Sequence, residues 1–271
     1  MATESTPRPT RSSSGASVAI AVAFAALAVP LAVVLGIVGL VLPVLTWWIG
    51  VLVALIVAAA VLWWRLRNAG TAILRTLGAQ LIEPEEQARF ANLVQGLALS
   101  GATDEPDIYV IDDAGRNAAA VVGGEVNAIV ATTGLLSAVD RIGLEGIVAE
   151  ALVRIESGDA EAATKATALF GPLMVGPAAS VARPVVSFGV QNLLQSDRDL
   201  LADQAAVSLT RYPPGLLAAL DAIRAGTPAT AVNSEATDHL WLVPPGTADH
   251  VASAIVPGAP LELRMDVLGE L

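Results

Sequence analysis

Glu150 and Arg154 form the pair of charged residues whose spacing first indicates chemistry in this chain. They lie four residues apart in Asp140–Glu156, where apolar residues recur at helical spacing. An acid four residues before a base lies on the same helix face, in the better orientation for an ion pair. Both residues flank the apolar stripe, so we expect them to face the interior of the fold. The stripe consists of Leu144, Ile147, Val148, Ala151, Leu152 and Ile155.

The residue types limit which other sites are possible. The chain has no cysteine and two histidines, His239 and His250. Disulfide bonds, thiolate metal sites and cysteine nucleophiles are therefore excluded, and one chain cannot build a site of three histidines. We expect His239 to pack or hydrogen-bond within the C-terminal segment and His250 to be exposed.

Composition and charge indicate which classes of partner the chain can have. The formal net charge is −11, which repels phosphate backbones and disfavours nucleic-acid binding. A hydrophobic content of 54% indicates a membrane segment. Residues 1–16 are rich in Ser, Thr and Pro, and we expect a disordered tail there.

Ser17–Trp64 carries no charged residue. Its length of about 48 residues exceeds the ~20 needed for one membrane span. We predict a transmembrane hairpin (17–64) with helices over Ser17–Val38 and Val44–Trp64 and a turn around Gly39–Pro43. A cleaved signal peptide is the alternative for the first helix, although the apolar run is long for one.

Arginines flank both outer ends of this hairpin, at Arg8 and Arg11 and again at Arg65 and Arg67. The positive-inside rule then predicts a multi-pass protein of the plasma (inner) membrane whose following domain is cytoplasmic. Of the five tryptophans, Trp47, Trp48, Trp63 and Trp64 suit membrane anchors, and we expect Trp241 in the core.

Residues 70–271 show the mixed patterns of a mainly helical α+β domain with a small sheet. Apolar runs predict strands at Asp107–Ile111 and Val126–Thr132. The apolar but proline-interrupted Ala166–Val190 predicts a helical pair that contacts the bilayer or the hairpin, with core helices as the alternative. The other predicted helices are Pro84–Leu99, with two glutamates in its first turn, Asp140–Glu156, Asp197–Leu209, Pro213–Ala225 and Pro260–Leu271.

Six segments occur in an order that carries a family resemblance: Arg116-Asn-Ala-Ala-Ala120, Val126–Leu136, Leu144–Asp159, Ser196–Asp203, His239–Pro244 and Ala259–Arg264. Together they resemble the HtpX-type membrane zinc metallopeptidases, a gluzincin family. Leu144–Asp159 resembles the zinc helix, and Ser196–Asp203 the helix with the third ligand. The resemblance implies a gluzincin-like domain behind a membrane hairpin.

The resemblance places the first two zinc ligands on Glu150 and Arg154 and the third on Asp199. It places the general base on Ala151 and a carboxylate that orients a ligand on Asp203. In H-E-x-x-H, two histidines one turn apart bind zinc and the glutamate between them activates water. A guanidinium has no lone pair to offer a metal, and alanine cannot accept a proton. The resemblance therefore implies a catalytically degenerate member, without the zinc cofactor expected for the family.

Charge suggests what replaces the metal. If the family geometry is kept, Asp199 approaches Glu150 and Arg154, and we predict that the Arg154 guanidinium bridges the two acids at the metal position. The alternative is a surface ion pair between Glu150 and Arg154, which would contribute a few tenths of a kcal/mol.

Three functions remain open. The first is a pseudopeptidase that binds, scaffolds or regulates a membrane-protein or peptide partner. Such a peptide could add to an edge strand formed by Asn127, Ala128, Ile129, Val130, Ala131 and Thr132. The second is an active zinc metalloendopeptidase with unorthodox ligands such as Glu150 and Asp199. The third is a degenerate paralogue whose domain only stabilises the hairpin.

Overall fold

A computed structural model describes residues 13–41, 47–174, 179–226, 237–245 and 258–271. The chain is mainly helical with one small mixed sheet. His250, which the sequence predicts to be exposed, lies outside the described residues.

Two long helices come first, α1 (Ser13–Val41) and α2 (Trp47–Arg67). α1 begins at Ser13, inside the predicted disordered tail 1–16, and the last proline before it is Pro9. α1 also continues to Val41, into the predicted turn at Gly39–Pro43. The rest of that turn lies outside the described residues.

Both helices are long and apolar enough to cross a bilayer, over Ala21–Val38 and Trp48–Arg67. Only 11% and 17% of these two windows are buried, whereas a core helix would be mostly covered. Trp63 is exposed, with the Arg67 guanidinium 5.6 Å from the centre of its ring. α1 and α2 pack against each other, and the beginning of α1 contacts the rest of the chain.

Nine helices and four strands follow in the described part of the chain. The helices are α3 (Ala69–Thr76), α4 (Ala88–Gly101), α5 (Thr133–Ala138), α6 (Arg141–Glu156), α7 (Asp159–Phe170), α8 (Ala179–Leu193), α9 (Arg198–Thr210), α10 (Pro213–Arg224) and α11 (Leu261–Gly269). The strands are β1 (Gln80–Leu81), β2 (Asp107–Ile111), β3 (Ala118–Gly123) and β4 (Val126–Thr132). Short 3-10 turns cover Gly171–Met174 and Asp238–Leu240.

The strand order is β1-β2-β4-β3, with β2 and β4 parallel and the other pairs antiparallel. Both predicted strands have the expected bounds, but the predicted edge strand is wrong. Of Asn127, Ala128, Ile129, Val130, Ala131 and Thr132, all but Asn127 pair with β2 on one side, and all but Thr132 pair with β3 on the other. Apolar, β-branched residues indicate that the two faces of a strand are buried. They do not indicate which strands lie on either side of it. The edge strand on this side is β3.

The sheet is buried on both faces, which explains why β3 and β4 read as continuous apolar runs. On one face α6 contacts β3 and β4, and α4 and α10 belong to the same hydrophobic cluster. On the other face α3 and α7 contact the sheet, and α8 belongs to that cluster. The side chains toward the first layer are Ala118, Ala120, Ile129 and Ala131. Those toward the second are Ala119, Val121, Ala128 and Val130.

Two predicted helical regions differ from the structure. α4 begins at Ala88, because the preceding residues form a turn in which Glu86 N donates to Glu83 O, so the glutamates precede the helix. Ala166–Val190 divides between α7, which packs on β3 as a core helix, and α8, which lies against α1. Both helices contact the hairpin, because α7 also packs on α2, and both contribute buried residues to the core, including Val186 and Val190 of α8.

Candidate functional site

α6 positions the charged pair identified in the sequence. The helix begins at its cap Asp140, whose carboxylate accepts from Gly143 N at 2.8 Å. Glu150 and Arg154 are each only 2% exposed, so the surface ion pair is excluded. Their charges are buried between α6 and the helices that follow it.

Arg154 lies at the centre of three carboxylates. Its Nε donates to Glu150 Oε1, and its Nη2 donates to Asp199 Oδ1 at 2.8 Å. Its Nη1 donates to Asp159 Oδ2 at 3.3 Å. The predicted bridge from Glu150 through Arg154 to Asp199 is therefore present, and Asp159 extends it. One guanidinium joins α6, α7 and α9.

A second arginine supports the same carboxylates from α9. Arg198 Nε lies 3.4 Å from Asp199 Oδ1 and 3.6 Å from Asp159 Oδ2. The other oxygen of Asp199 accepts from Ala259 N at 3.1 Å. Asp199 is thus held by both arginines and by the backbone just before α11.

A third arginine, Arg264 on α11, pairs with Asp203 in a bidentate arrangement. Its Nε and Nη2 each lie 2.7 Å from one of the two Asp203 carboxylate oxygens. Its Nη1 donates to Leu242 O at 2.6 Å, and its Nη2 lies 3.8 Å from Glu150 Oε1. Parallel N–H···O bonds of this kind are strong and directional. We call Glu150, Arg154, Asp159, Arg198, Asp199, Asp203 and Arg264 the buried charge cluster.

The protonation of this cluster follows from burial and charge. Burial disfavours ionised Asp199, but Arg154, Arg198 and Arg264 outweigh it and hold the pKa of Asp199 well below its usual range. Burial raises the pKa of Glu150, against the opposing effect of Arg154 and Arg264. Burial also lowers the pKa of Arg154, but the surrounding carboxylates outweigh it and raise that pKa well above its usual value. Arg154 therefore remains a cation.

These residues do not fit a zinc ion. Arg154 donates toward oxygens of Glu150 and Asp199, the two acids that the resemblance offers as ligands. Zinc sites need deprotonated nitrogen, sulfur or oxygen donors, and a guanidinium supplies none. Within the described residues, no group of three His, Cys, Asp or Glu side chains is arranged to hold a metal ion.

The structure brings together four of the five residues predicted for the site, Glu150, Arg154, Asp199 and Asp203. The fifth, Ala151, is buried in the hydrophobic core on α6. Sequence reasoning assigned no charge partner to Asp159, Arg198 or Arg264. All three stand inside the segments that carry the family resemblance, so their position was the available signal.

The exposed edge of the sheet beside this cluster is closed by the chain itself. Leu242 N donates to Ala118 O at 2.7 Å, and Trp241 bridges to Ala119. The Asn117 side chain holds the same segment, with its Nδ2 2.6 Å from Val243 O and its Oδ1 3.3 Å from Val243 N. Trp241–Val243 therefore lies against Ala118 and Ala119, at the start of the β3 edge where an added strand would pair. Further along this edge, Val122 N donates to Thr164 Oγ1 at 3.1 Å.

His239 fixes the start of this covering segment. Its Nε2 lies 2.8 Å from Thr167 Oγ1 and 3.1 Å from Ala163 O, so a proton on Nε2 satisfies the carbonyl. Burial and the nearby Arg198 lower the pKa of His239 to about 3. His239 is thus a neutral, buried, hydrogen-bonded histidine, and Trp241 is buried as predicted.

Three curated proteins to which the chain is similar share the name Protease HtpX homolog. The chain is 27% identical to the Protease HtpX homolog of Dictyoglomus thermophilum, over 82% of this chain and 82% of that protein. It is 25% identical to the homolog of Dictyoglomus turgidum, over 80% of each chain. For the homolog of Streptococcus uberis the identity is 23%, over 81% of this chain and 85% of that protein. The chain is therefore similar, over about four fifths of its length, to proteins named Protease HtpX homolog. No protein-family model and no solved structure matches the chain.

Proposed function

We propose that this protein is a membrane-anchored, catalytically inactive relative of the HtpX-type metallopeptidases that serves as a binding, scaffolding or regulatory subunit. The observation that carries the proposal is Arg154, buried among Glu150, Asp159 and Asp199. By the resemblance, Arg154 and two of these acids stand at the positions of the metal ligands. The side chain at this centre can donate hydrogen bonds but cannot hold zinc or take a proton from water.

The proposal assigns the buried charge cluster a structural role. In a metal site, a cation draws ligands from separate helices together. Here a guanidinium supplies the positive charge, and its fixed fork of donors reaches acids on α6, α7 and α9. The helices can then keep their arrangement without a metal, and hydrolysis is lost with the ligands and the base.

The proposed anchor is α1 and α2, inserted as a two-span hairpin with the following gluzincin-like domain on the cytoplasmic side. Support comes from their apolar length and from the arginines at the end of α2. Because Trp241–Val243 covers the start of the β3 edge and Val122 N further along it donates to Thr164 Oγ1, we propose that a partner binds elsewhere than by strand addition. A membrane protein that contacts the hairpin is the partner this arrangement favours.

A cleavage assay tests the loss of hydrolysis. The full chain, purified in mild detergent, should cleave casein no faster with added zinc than with a chelator. The Dictyoglomus thermophilum homolog, purified in the same way, serves as the positive control. Chelator-sensitive cleavage by this chain that disappears in the Asp199→Asn variant would contradict the proposal.

Purification from native membranes tests the binding role. We expect a membrane protein to co-purify in a fixed ratio to the chain in mild detergent. A chain that consistently purifies alone, at the mass of its own detergent complex, would count against a subunit role.

A further inference from the structure

A groove lies between the beginning of α6 and the turn that joins α9 to α10. It is lined by Ile142, Glu145, Gly146, Thr210 and Tyr212. Its volume is about 220 Å³, whereas pockets that hold small-molecule ligands have about 300–1,000 Å³. A groove of this size can take a side chain from another protein surface, but it is small for a free ligand.

Close backbone packing fixes the shape of the groove. A Cβ atom at Gly215, at the beginning of α10, would lie 3.0 Å from Ile142 O and 3.5 Å from Cδ1 of Tyr212. A Cβ atom at Gly146 would lie 2.7 Å from Leu216 N. Glycines therefore hold α6 and α10 close together, and the groove exists before any partner binds. A preformed surface loses less entropy on binding than a flexible one.

Two large apolar side chains stand at the borders of the groove. Within the described residues, Ile142 is 48% exposed and Tyr212 is 51% exposed. The Tyr212 side chain makes no cap hydrogen bond to α10, which it precedes. Tyrosine combines a large apolar ring with few rotatable bonds, and it is enriched among the residues that contribute most to binding. This surface therefore offers both an exposed ring and a hollow beside it.

Both signs of charge occur at the same borders. Glu145 lines the groove, and the exposed Arg141 and Arg211 each directly precede one of the two apolar side chains. The nearby Asp140 is engaged as the cap of α6. With a formal net charge of −11, two copies of the chain repel each other at long range. A face that carries two arginines opposes that repulsion locally.

We propose that two copies of the chain associate through this groove about a two-fold axis, with Tyr212 of each copy in the groove of the other. A two-fold contact joins the same patch on both copies, so the patch must be complementary to itself. This patch has a ring and a hollow, and the arginines of one copy can face Glu145 of the other. A second copy of the chain is therefore the occupant that the surface fits.

The contact uses none of the residues of the buried charge cluster and none of the proposed membrane anchor. α1 and α2 pack against α3, α7 and α8. The groove is formed by α6 and the turn between α9 and α10. The inference therefore does not depend on the proposed loss of catalysis, and it leaves the hairpin available to another membrane protein.

Sedimentation equilibrium of the full chain in density-matched detergent tests this association, because it measures the mass of the protein alone. We expect a concentration-dependent equilibrium between one chain and two. Tyr212→Ala should raise the dissociation constant of the pair by about tenfold or more, because it removes the ring from the groove. The matched control is Leu99→Ala, since Leu99 is 78% exposed on α4 and does not line the groove. This control should associate like the wild type.

Reversal of the border charges tests how the two copies face each other. Glu145→Arg leaves arginines to face arginines, and Arg141→Glu combined with Arg211→Glu leaves acids to face acids. Both variants should associate several-fold more weakly than the wild type, because like charges meet across the contact. All three reversals together bring opposite charges to face each other again, and this variant should associate more tightly than either parent.

A chain that sediments as a monomer at every concentration would overturn the inference. A pair whose dissociation constant is unchanged by Tyr212→Ala would form through another face, such as the hairpin, and would also overturn it. A triple reversal that associates no better than its parents would contradict the two-fold arrangement. Melting temperatures of all variants show whether weaker association reflects unfolding, and the charge series does not depend on the fold of Tyr212→Ala.

Discussion

At the scale of single residues, Arg154 accounts for the difference between this chain and a zinc peptidase. A guanidinium is always charged, and its donors reach Glu150, Asp159 and Asp199 simultaneously. Buried carboxylates without a cation would carry a large desolvation cost. In the proposed function, the arginine that takes the place of the metal therefore also keeps the acids of the site tolerable in the core.

Replacing Arg154 should be far more damaging than replacing a comparable surface cation. We expect Arg154→Met to lower the free energy of unfolding by about 3–5 kcal/mol, because it leaves buried acids uncompensated. Asp199→Asn in the same chain should recover part of the loss. The control is Lys165→Met, which breaks the exposed pair with Glu161 and should cost at most about 1 kcal/mol. Unfolding in detergent measures both, and equal losses would contradict the role of Arg154.

His239 should make the fold sensitive to acid. Its pKa falls from 6.5 in the unfolded chain to about 3 in the fold, so the unfolded state binds the proton first as pH drops. The contribution of neutral His239 to the free energy of unfolding is fully present above pH 6.5. It decreases toward pH 3, by about 1.4 kcal/mol per pH unit.

Melting temperatures of the wild type and of His239→Gln, each measured at pH 7 and at pH 5, test this contribution. The two pH values lie on either side of 6.5, the pKa of His239 in the unfolded chain. We expect the melting temperature of the variant to fall less with acid than that of the wild type. Parallel curves would contradict a buried neutral histidine. The variant is compared with the wild type because Glu150 also responds to acid in both chains. Burial raises the pKa of Glu150, so its protonation favours the fold as the pH falls.

At the scale of elements, the site depends on how closely α6 approaches α10. A Cβ atom at Gly146 would lie 2.7 Å from both Leu216 N and Leu216 Cα, which are backbone atoms and cannot rotate away. Gly146 therefore allows the approach that holds the helix of Glu150 and Arg154 in place.

The Gly146→Ala variant should destabilise the protein by about 1–3 kcal/mol, because α6 and α10 must separate. Gly96→Ala is the matched control on α4, where a Cβ atom meets nothing within 4 Å. It should stabilise the protein by about 0.5–1 kcal/mol through helix propensity. Unfolding free energies of opposite sign support the close approach, whereas two stabilised variants would contradict it.

The sequence predicted strongly patterned elements well and neighbour relations poorly. α6, α9, α10 and β4 lie where their periodicity indicated. β3 was missed because Ala118–Ala120 has low strand propensity, and the strands on either side of β4 depend on contacts distant in sequence. The bridge from Arg154 to Asp199 also joins two helices, and it was predicted because the resemblance placed both residues at metal-ligand positions. Arg264 had no assigned role, so its pair with Asp203 on another helix was missed.

At the scale of the whole molecule, two closures distinguish this protein from an open peptidase cleft. The buried charge cluster fills the interior of the site with paired side chains. Trp241–Val243 covers the start of the β3 edge. Most of the exposed large apolar side chains in the described part of the chain lie on α1, α2 and α8. Under the proposed membrane insertion, partner contacts are therefore expected on that side.

Zinc content is the most direct test of whether an arginine has replaced the metal. Elemental mass spectrometry would be applied to the full chain, purified after exposure to excess zinc and removal of the unbound ion. We predict far less than one zinc per chain and the same low value in the Asp199→Asn variant. About one zinc per chain, lost on Asp199→Asn, would mean that Asp199 is a metal ligand and would contradict the central role of Arg154.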